Sequence, residues 1–337
     1  MACKSGYHLY NNACEADTIA NCGAHGIQCN VAHATNTCSG SKCTFECLNG
    51  YEDVYGSCEP TSNEPFVAKV SYDKSVIELG LKEITGSVEI DFGYNGCKTT
   101  ISSNTPTQTH QCRSMSFKTT KGESISIQYP TKGEYTITVT GRIGPITNAA
   151  SLNEITSYGR AIFQEDAFRK IISLPTKGTP RFVNNNMAWA FRNNREFNQD
   201  ISFWDTSNVT NMQGMFNYAT SFNQPLNNWN TSNVTNMRQM FYNATSFNQP
   251  LNNWKTSKVT DMGAMFYNAH KFNQPLDKWN ISKVTNFQTT SLQTSKPESM
   301  FQNSGLQKDN YCKLFTGAYA SYWTKYKSNL GMTFDCP

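Results

Sequence analysis

A repeat of 25 residues constrains the fold of this chain more than any other feature. Trp204, Trp229, Trp254 and Trp279 recur at this interval, each seven residues after the Phe of a Phe-Asn-Gln triplet. A Ser-Asn-Val-Thr-Asn-Met segment and a Met-Phe pair recur in the same register. A strict period of this length is typical of stacked repeats. One unit has too few apolar side chains to close a core alone, so we expect successive units to bury them in columns.

The spacing within a unit predicts two kinds of secondary structure. Five apolar residues have the spacing of one helical face: Val234, Met237, Met240, Phe241 and Ala244. We expect a helix there, with Ser232 or Asn233 as its N-cap. The segment 247–251 lacks this spacing and contains Pro250, so we predict a short extended strand. Each coil of a solenoid would then contain one strand and one helical segment.

Cysteine is concentrated at the N-terminal end of the chain. The sequence has 12 Cys, and eight of them lie within the first 58 residues. This density predicts disulfides and an oxidising compartment. No Cys-x2-Cys pair occurs among the eight, which disfavours a zinc site and leaves no predicted metal. We expect all eight to form disulfides, with open connectivity: Cys3, Cys14, Cys22, Cys29, Cys38, Cys43, Cys47 and Cys58.

Residues 1–59 form the predicted Cys-rich module. The run Cys3-Lys-Ser-Gly6-Tyr7 precedes Cys14 by the same interval at which Cys47-Leu-Asn-Gly50-Tyr51 precedes Cys58. This pattern resembles the last part of epidermal-growth-factor-like (EGF-like) repeats. The resemblance implies a small extracellular spacer module.

Residues 66–141 have the alternation of short β-strands separated by glycine turns, which predicts a small β-sandwich. Cys97 and Cys112 are the only cysteines here, and we predict that they pair. The segments 88–93 and 133–141 resemble the sandwich of polycystic-kidney-disease-type domains, which have an immunoglobulin-like fold.

The remaining boundaries follow from the register of the repeat. Residues 142–196 contain repeat-like residues without the period and are the predicted N-terminal cap, followed by the repeats at 197–305. Ten extra residues around 289–298 delay the last Met-Phe pair and should loop out. Residues 306–337 are the predicted C-terminal cap, where we expect a disulfide between Cys312 and Cys336.

The repeat as a whole resembles that of BspA-like leucine-rich-repeat surface proteins and the 25-residue repeats of mycoplasma surface lipoproteins. The elements that carry the resemblance are the Trp, Ser-Asn-Val-Thr-Asn-Met, Met-Phe and Phe-Asn-Gln motifs. The resemblance implies a right-handed β/α leucine-rich-repeat-like solenoid on a microbial cell surface. It also implies adhesion or host-protein binding in the extracellular space.

Composition and motifs exclude several other functions. The net charge is only +4 and forms no basic cluster, so we expect no nucleic-acid partner. No apolar run is long enough for a membrane span, so a membrane link would need flanking segments or an anchor. The sequence contains no hydrolase, metalloprotease or phosphate-binding motif, and we predict no catalytic residue and no cofactor. Asp261 replaces the Asn found at 211 and 236, which indicates a structural hydrogen-bonding position.

Binding residues should be exposed positions that vary between units. Gln213 and Arg238 share one such column with Gly263, and Tyr242 and Tyr267 share another with Asn217. Tyr and Arg are enriched at protein interfaces. We therefore predict a non-enzymatic surface protein that binds another protein here. The alternative is carbohydrate binding by exposed aromatic residues, although the Trp column itself has the regularity of a core.

Overall fold

The computed structural model describes the following residues of the chain: 7–10, 13–16, 34–39, 42–47, 51–54, 57–60, 65–72, 77–80, 87–102, 105–108, 116–120, 124–140, 142–146, 152–290, 296–332 and 334–336. The chain divides into two compact units, Met1–Asn63 and Glu64–Pro337.

The described residues of the N-terminal unit form three antiparallel β-hairpins. They pair β1 (Tyr7–Tyr10) with β2 (Ala13–Ala16), β3 (Ala34–Ser39) with β4 (Lys42–Cys47), and β5 (Tyr51–Val54) with β6 (Ser57–Pro60). Cys47 is disulfide-bonded. The predicted disulfide positions Cys3, Cys22 and Cys29 lie outside the described residues, as do the side chains of Cys14, Cys38, Cys43 and Cys58.

The second unit begins with β-strands. Eight of them precede residue 141: β7 (Phe66–Tyr72), β8 (Ile77–Gly80), β9 (Ser87–Asp91), β10 (Lys98–Ser102), β11 (Thr105–Gln108), β12 (Ser116–Thr120), β13 (Ser124–Gln128) and β14 (Gly133–Thr140). Alternate residues of β7, namely Phe66, Ala68 and Val70, are buried, as the two-residue period of a strand requires. Cys97 is buried and disulfide-bonded, whereas Cys112 lies outside the described residues.

Three further strands connect these sheets to the repeats: β15 (Arg142–Ile146), β16 (Leu152–Ser157) and β17 (Arg160–Phe163). β16 completes an antiparallel sheet of order β11-β10-β9-β14-β7-β16, and a second antiparallel sheet has the order β12-β13-β8. β15 and β17 form a parallel sheet with β18 (Arg181–Phe182). The buried apolar residues form one continuous core from Phe66 to Leu330, so the sheets and the repeats stabilise each other.

The repeat units stack through their backbones. The N–H groups of Met212, Gly214 and Phe216 donate to carbonyls one unit later, with N···O distances of 2.8–2.9 Å. The same pattern recurs in the next unit. In the unit after that the middle bond changes, because Ala264 donates to the Phe287 carbonyl at 3.3 Å. Isolated parallel bridges also connect one position in each unit, and they run through Asn186, Asn211, Asn236, Asp261 and Asn286. The backbone hydrogen bonds of a unit are therefore made largely with its neighbours.

Two residues in each unit adopt the left-handed backbone conformation. The first column contains Trp189 (φ 60°), Gly214 (φ 58°), Gln239 (φ 55°) and Ala264 (φ 51°). The second column contains Asn193, Tyr218, Asn243, Asn268 and Asn303. An α-helix cannot continue through such residues. The apolar spacing that predicts a helix therefore belongs to a series of tight turns, and neither Ser232 nor Asn233 caps a helix.

The apolar columns are buried between the units, as the repeat predicts. Trp229, Trp254 and Trp279 are at most 3% exposed. The rings of Trp254 and Trp279 lie 6.1 Å apart and are inclined by 4°. The Trp254 Nε1–H donates to the Leu226 carbonyl at 2.8 Å, which satisfies its polar atom. This burial excludes the Trp column as a sugar-binding surface.

The C-terminal part covers the last unit. β19 (Gln288–Thr290) and β20 (Pro297–Ser299) form an antiparallel hairpin where the sequence predicts a loop. Two helices follow, α1 (Lys308–Lys313) and α2 (Ala320–Lys325). Trp323 of α2 is fully buried and contacts the Phe287 ring at 5.9 Å. A disulfide joins Cys312 and Cys336, the pairing that the sequence predicts.

The fold class predicted from the sequence, with a right-handed β/α leucine-rich-repeat-like solenoid as its main part, is wrong. Within the described residues, most strands lie in small antiparallel sheets, and α1 and α2 are the only α-helices. Two 3-10 turns, Val183–Asn185 and Lys327–Asn329, complete the helical structure there. The segment 247–251 is not a strand. The repeats consist instead of turns and single bridges.

Candidate functional site

In each unit the variable residue at position 213, 238 or 263 follows a turn that a polar side chain holds in place. The side-chain oxygens of Asn211, Asn236 and Asp261 each accept the N–H two residues later, at 2.8–3.0 Å. Asp261 thus performs the same structural role as the Asn residues, which confirms that prediction. The acceptors set the backbone direction for the side chains at 213 and 238.

The hairpin β19–β20 folds back over this column. Arg238 donates from Nη2 to the Thr289 hydroxyl, and the Tyr242 hydroxyl donates to Glu298 Oε1 at 3.0 Å. Gly263 permits the close approach, because a Cβ there would lie 2.6 Å from the Gln288 carbonyl oxygen. The insertion is thus fixed to units that precede it in the chain.

A groove of about 440 Å³ lies between the hairpin and the repeats. The repeat units contribute six lining residues: Gln213, Asn217, Tyr218, Arg238, Gln239 and Tyr242. Trp189 and Arg192 line it from the preceding unit. Thr289, Thr290 and Glu298 line it from the hairpin. The groove therefore exists only because the hairpin returns across several units.

Aromatic rings line one side of the groove. The rings of Tyr218 and Tyr242 lie 5.6 Å apart, and Tyr267 stacks on Tyr242 at 4.8 Å. The Arg192 guanidinium lies 5.0 Å from the centre of the Trp189 ring, within the range of a cation–π contact. The groove thus presents flat aromatic faces beside a positive charge.

Gly214 makes room for the Trp189 ring. A Cβ at this position would lie 2.0 Å from two atoms of the ring. The ring therefore packs directly on the backbone of the next unit, and Gly214 determines where it lies.

Of the charged groups in the groove, Glu298 accepts a hydrogen bond, whereas Arg238 Nε has no hydrogen-bond partner. Glu298 is only 8% exposed and is the one buried carboxylate among the described residues. Burial raises the pKa of the Tyr242 hydroxyl above its ordinary value, and its hydrogen bond to Glu298 raises that pKa further. The Tyr242 hydroxyl therefore stays protonated at physiological pH and donates a hydrogen bond to Glu298. Arg238 Nε is buried and has no hydrogen-bond partner.

The structure brings three of the four predicted binding residues to the groove, namely Gln213, Arg238 and Tyr242. Tyr267 packs against Tyr242 and does not line the groove. The residues Trp189, Arg192 and Glu298 were not predicted. The only sequence signal for Glu298 is the insertion at 289–298 that contains it. Trp189 precedes the strict repeat, which begins at residue 197, so the repeat gives no signal for it.

The described residues contain neither a metal site nor a membrane-spanning helix. They contain no group of three or more His, Cys, Asp or Glu side chains placed to hold a metal ion. Within the same part of the chain, no helix has both the length and the apolar character needed to cross a bilayer.

Comparison with known proteins places the groove in a matched region. Residues 185–304 match a family described as "Mycoplasma protein of unknown function, DUF285". This region contains every residue that lines the groove. Searches of the curated proteins and of the solved structures found no match. The repeats are thus similar to a mycoplasma repeat family, and the match covers residues 185–304 of a chain of 337.

Proposed function

We propose that this protein is a non-enzymatic cell-surface protein that binds an extracellular protein of a host or neighbouring cell. The observation that carries the proposal is the segregation of the repeat positions. Residues that are constant between units are mostly buried or hold the backbone, whereas the variable Gln213, Arg238 and Tyr242 gather at one groove. A surface that varies inside a fixed frame is where specificity can change without loss of the fold.

Two features support the surface location. The match at residues 185–304 is to a mycoplasma family, and the repeat resembles those of bacterial surface proteins. Disulfide-bonded Cys47, Cys97, Cys312 and Cys336 are typical of proteins outside the cytosol. Labelling of intact cells with a membrane-impermeant reagent tests the location, and we expect the protein to be labelled before lysis.

Binding is tested with the full chain on a panel of purified extracellular matrix and cell-surface proteins. Arg238 and Tyr242 also hold the hairpin, so substituting them would change the groove itself. Tyr218 is a better probe because it is 36% exposed and lines the groove. We expect Tyr218→Ala to weaken binding.

The matched control is Tyr322→Ala, which removes a 41% exposed tyrosine from α2, away from the groove. We expect this variant to bind like the natural chain. Equal binding by both variants would show that the groove is not the interface. Absence of any partner in the panel would contradict the protein-binding function.

A further inference from the structure

The side chains that line the groove are of a distinctive kind. The aromatic members are Trp189, Tyr218 and Tyr242, and the planar amides are Gln213, Asn217 and Gln239. No aliphatic side chain is among the described lining residues. An aliphatic peptide side chain would therefore find no aliphatic partner among these residues. Sugars instead place their C–H faces on aromatic rings and their hydroxyls on amides and carboxylates, and this groove offers those groups.

The charge balance of the groove favours an anionic ligand. Arg192 and Arg238 contribute two positive charges, and Glu298 contributes one negative charge that already accepts a hydrogen bond from Tyr242. Arg238 Nε is buried, whereas Arg192 is exposed above the Trp189 ring and is the guanidinium that a ligand can reach. A carboxylate is the group that an arginine binds best, because its oxygens match the guanidinium donors.

We propose that the groove binds an acidic sugar residue, one that bears a carboxylate, carried by the extracellular partner. In this arrangement the sugar ring lies against the exposed Tyr218 ring, and its carboxylate faces Arg192. The volume of about 440 Å³ falls within the range of small-molecule sites and accommodates one or two sugar rings. This inference rests on the proposed surface-binding function and adds the chemical class of the group that is recognised.

The test is a titration of the full chain with glucuronic acid, and with glucose as the neutral counterpart. Ligand-observed NMR or calorimetry is suitable, because a single sugar ring has a dissociation constant on the order of millimolar. We expect glucuronic acid to bind and glucose to bind about tenfold more weakly, since glucose lacks the charge-assisted hydrogen bond.

Matched variants separate the groove from the general surface charge. Arg192→Gln should weaken glucuronic acid binding about tenfold, and Arg192→Lys should retain part of it. Arg195→Gln removes the same charge from an exposed residue three positions along the chain that does not line the groove. This control should bind like the natural chain.

Three results would overturn the inference. They are equal binding of glucose and glucuronic acid, equal loss in Arg192→Gln and Arg195→Gln, and displacement of glucuronic acid by a short poly-glutamate peptide at lower concentration. If the sugar fails to bind while a protein of the extracellular panel binds, only the ligand class is wrong. If the panel also fails, the proposed function is wrong as well.

Discussion

At several positions of the repeat, the backbone conformation matters as much as the side chain. Trp189, Gly214, Gln239 and Ala264 occupy equivalent left-handed positions, although only one of them is glycine. A non-glycine residue in this conformation costs about 1 kcal/mol or more. The stacked hydrogen bonds of neighbouring units must outweigh that cost at every repeat.

Substituting Gly214→Ala tests the packing of Trp189. Ala264 shows that the equivalent position accepts alanine, at a backbone cost of about 1 kcal/mol. At position 214 the new Cβ would in addition lie 2.0 Å from the Trp189 ring. We expect the free energy of unfolding to fall by roughly 1–3 kcal/mol, as for an overpacked site. Denaturant unfolding followed by tryptophan fluorescence measures it.

The control for that substitution is the same change in a Trp189→Ala background. Without the ring, the cost of Gly214→Ala should fall to about 1 kcal/mol, which is the cost of the left-handed backbone alone. If the cost is the same in both backgrounds, the ring is not its cause.

Removal of one column member tests the stacked core. Trp254→Ala should lower the free energy of unfolding by about 3–5 kcal/mol, because a large buried ring and its hydrogen bond to Leu226 are lost. Tyr322→Ala, at an exposed site, should change it by less than about 0.5 kcal/mol. Urea titration compares the two variants. Similar effects would contradict the buried column.

At the level of elements, the hairpin β19–β20 is stabilised by contacts distant in sequence. Thr289 and Glu298 contact residues 51 and 56 positions earlier. The small size of residue 263 favours both contacts, since a Cβ there would lie only 2.6 Å from the Gln288 carbonyl oxygen. Gly263 is therefore selected for close approach, since its own φ is not in the left-handed region.

Gly263→Ala should detach the hairpin while the columns beneath it remain packed. We expect faster amide hydrogen exchange at residues 288–290 and 297–299, and unchanged exchange at Met237 and Phe241. Tyr242 should then titrate closer to its ordinary pKa, because burial and Glu298 raise that pKa in the intact groove. An unchanged exchange pattern would show that the hairpin tolerates the extra methyl group.

The sequence predicts the buried columns and the length change, but it does not predict the secondary structure of a unit. The spacing of Met237, Met240 and Phe241 fits turns of three residues as well as a helix. Gln239 and Asn243 exclude the helix, because both have a left-handed backbone conformation. Their residue types alone do not predict that conformation. The groove is less predictable still, because it requires the hairpin to return to Arg238 and Tyr242.

For the molecule as a whole, the continuous core determines the response to pH. Tyr129, Tyr158 and Tyr242 have pKa values raised above the ordinary 10.0, in each case first by burial. Tyr129 also donates to the Phe92 carbonyl at 2.8 Å. These tyrosines lie in the sheet, at the junction and in the repeats, so alkaline pH acts on the whole unit 64–337.

Stability should therefore fall as the pH rises above 10.0. Below that value the three hydroxyls are protonated in both states, and their contribution is complete. Above it the unfolded chain loses these protons while the folded chain keeps them, so unfolding becomes more favourable until the raised pKa values are passed. Urea unfolding at pH 8 and at pH 10.5, with tyrosinate absorbance as a second signal, checks this.

The control is the variant Tyr242→Phe, which removes one of the three ionisable groups. Its pH dependence should be shallower than that of the natural chain. If stability is constant across this pH interval, the buried tyrosines do not carry the predicted linkage.

Because the backbone hydrogen bonds between the units follow one pattern, duplication or loss of a whole unit would preserve that pattern in the stack. The hairpin β19–β20 is different, since its partners Arg238 and Tyr242 lie a fixed number of residues before it in the chain. A gene that gained one copy upstream of residue 186 would encode a longer stack with the same groove. A gain between Trp189 and Tyr242 would move these two side chains apart and change what the groove can hold. A change in the number of repeat units would thus alter the length of the stack or the ligand that the groove binds, depending on where the unit is gained.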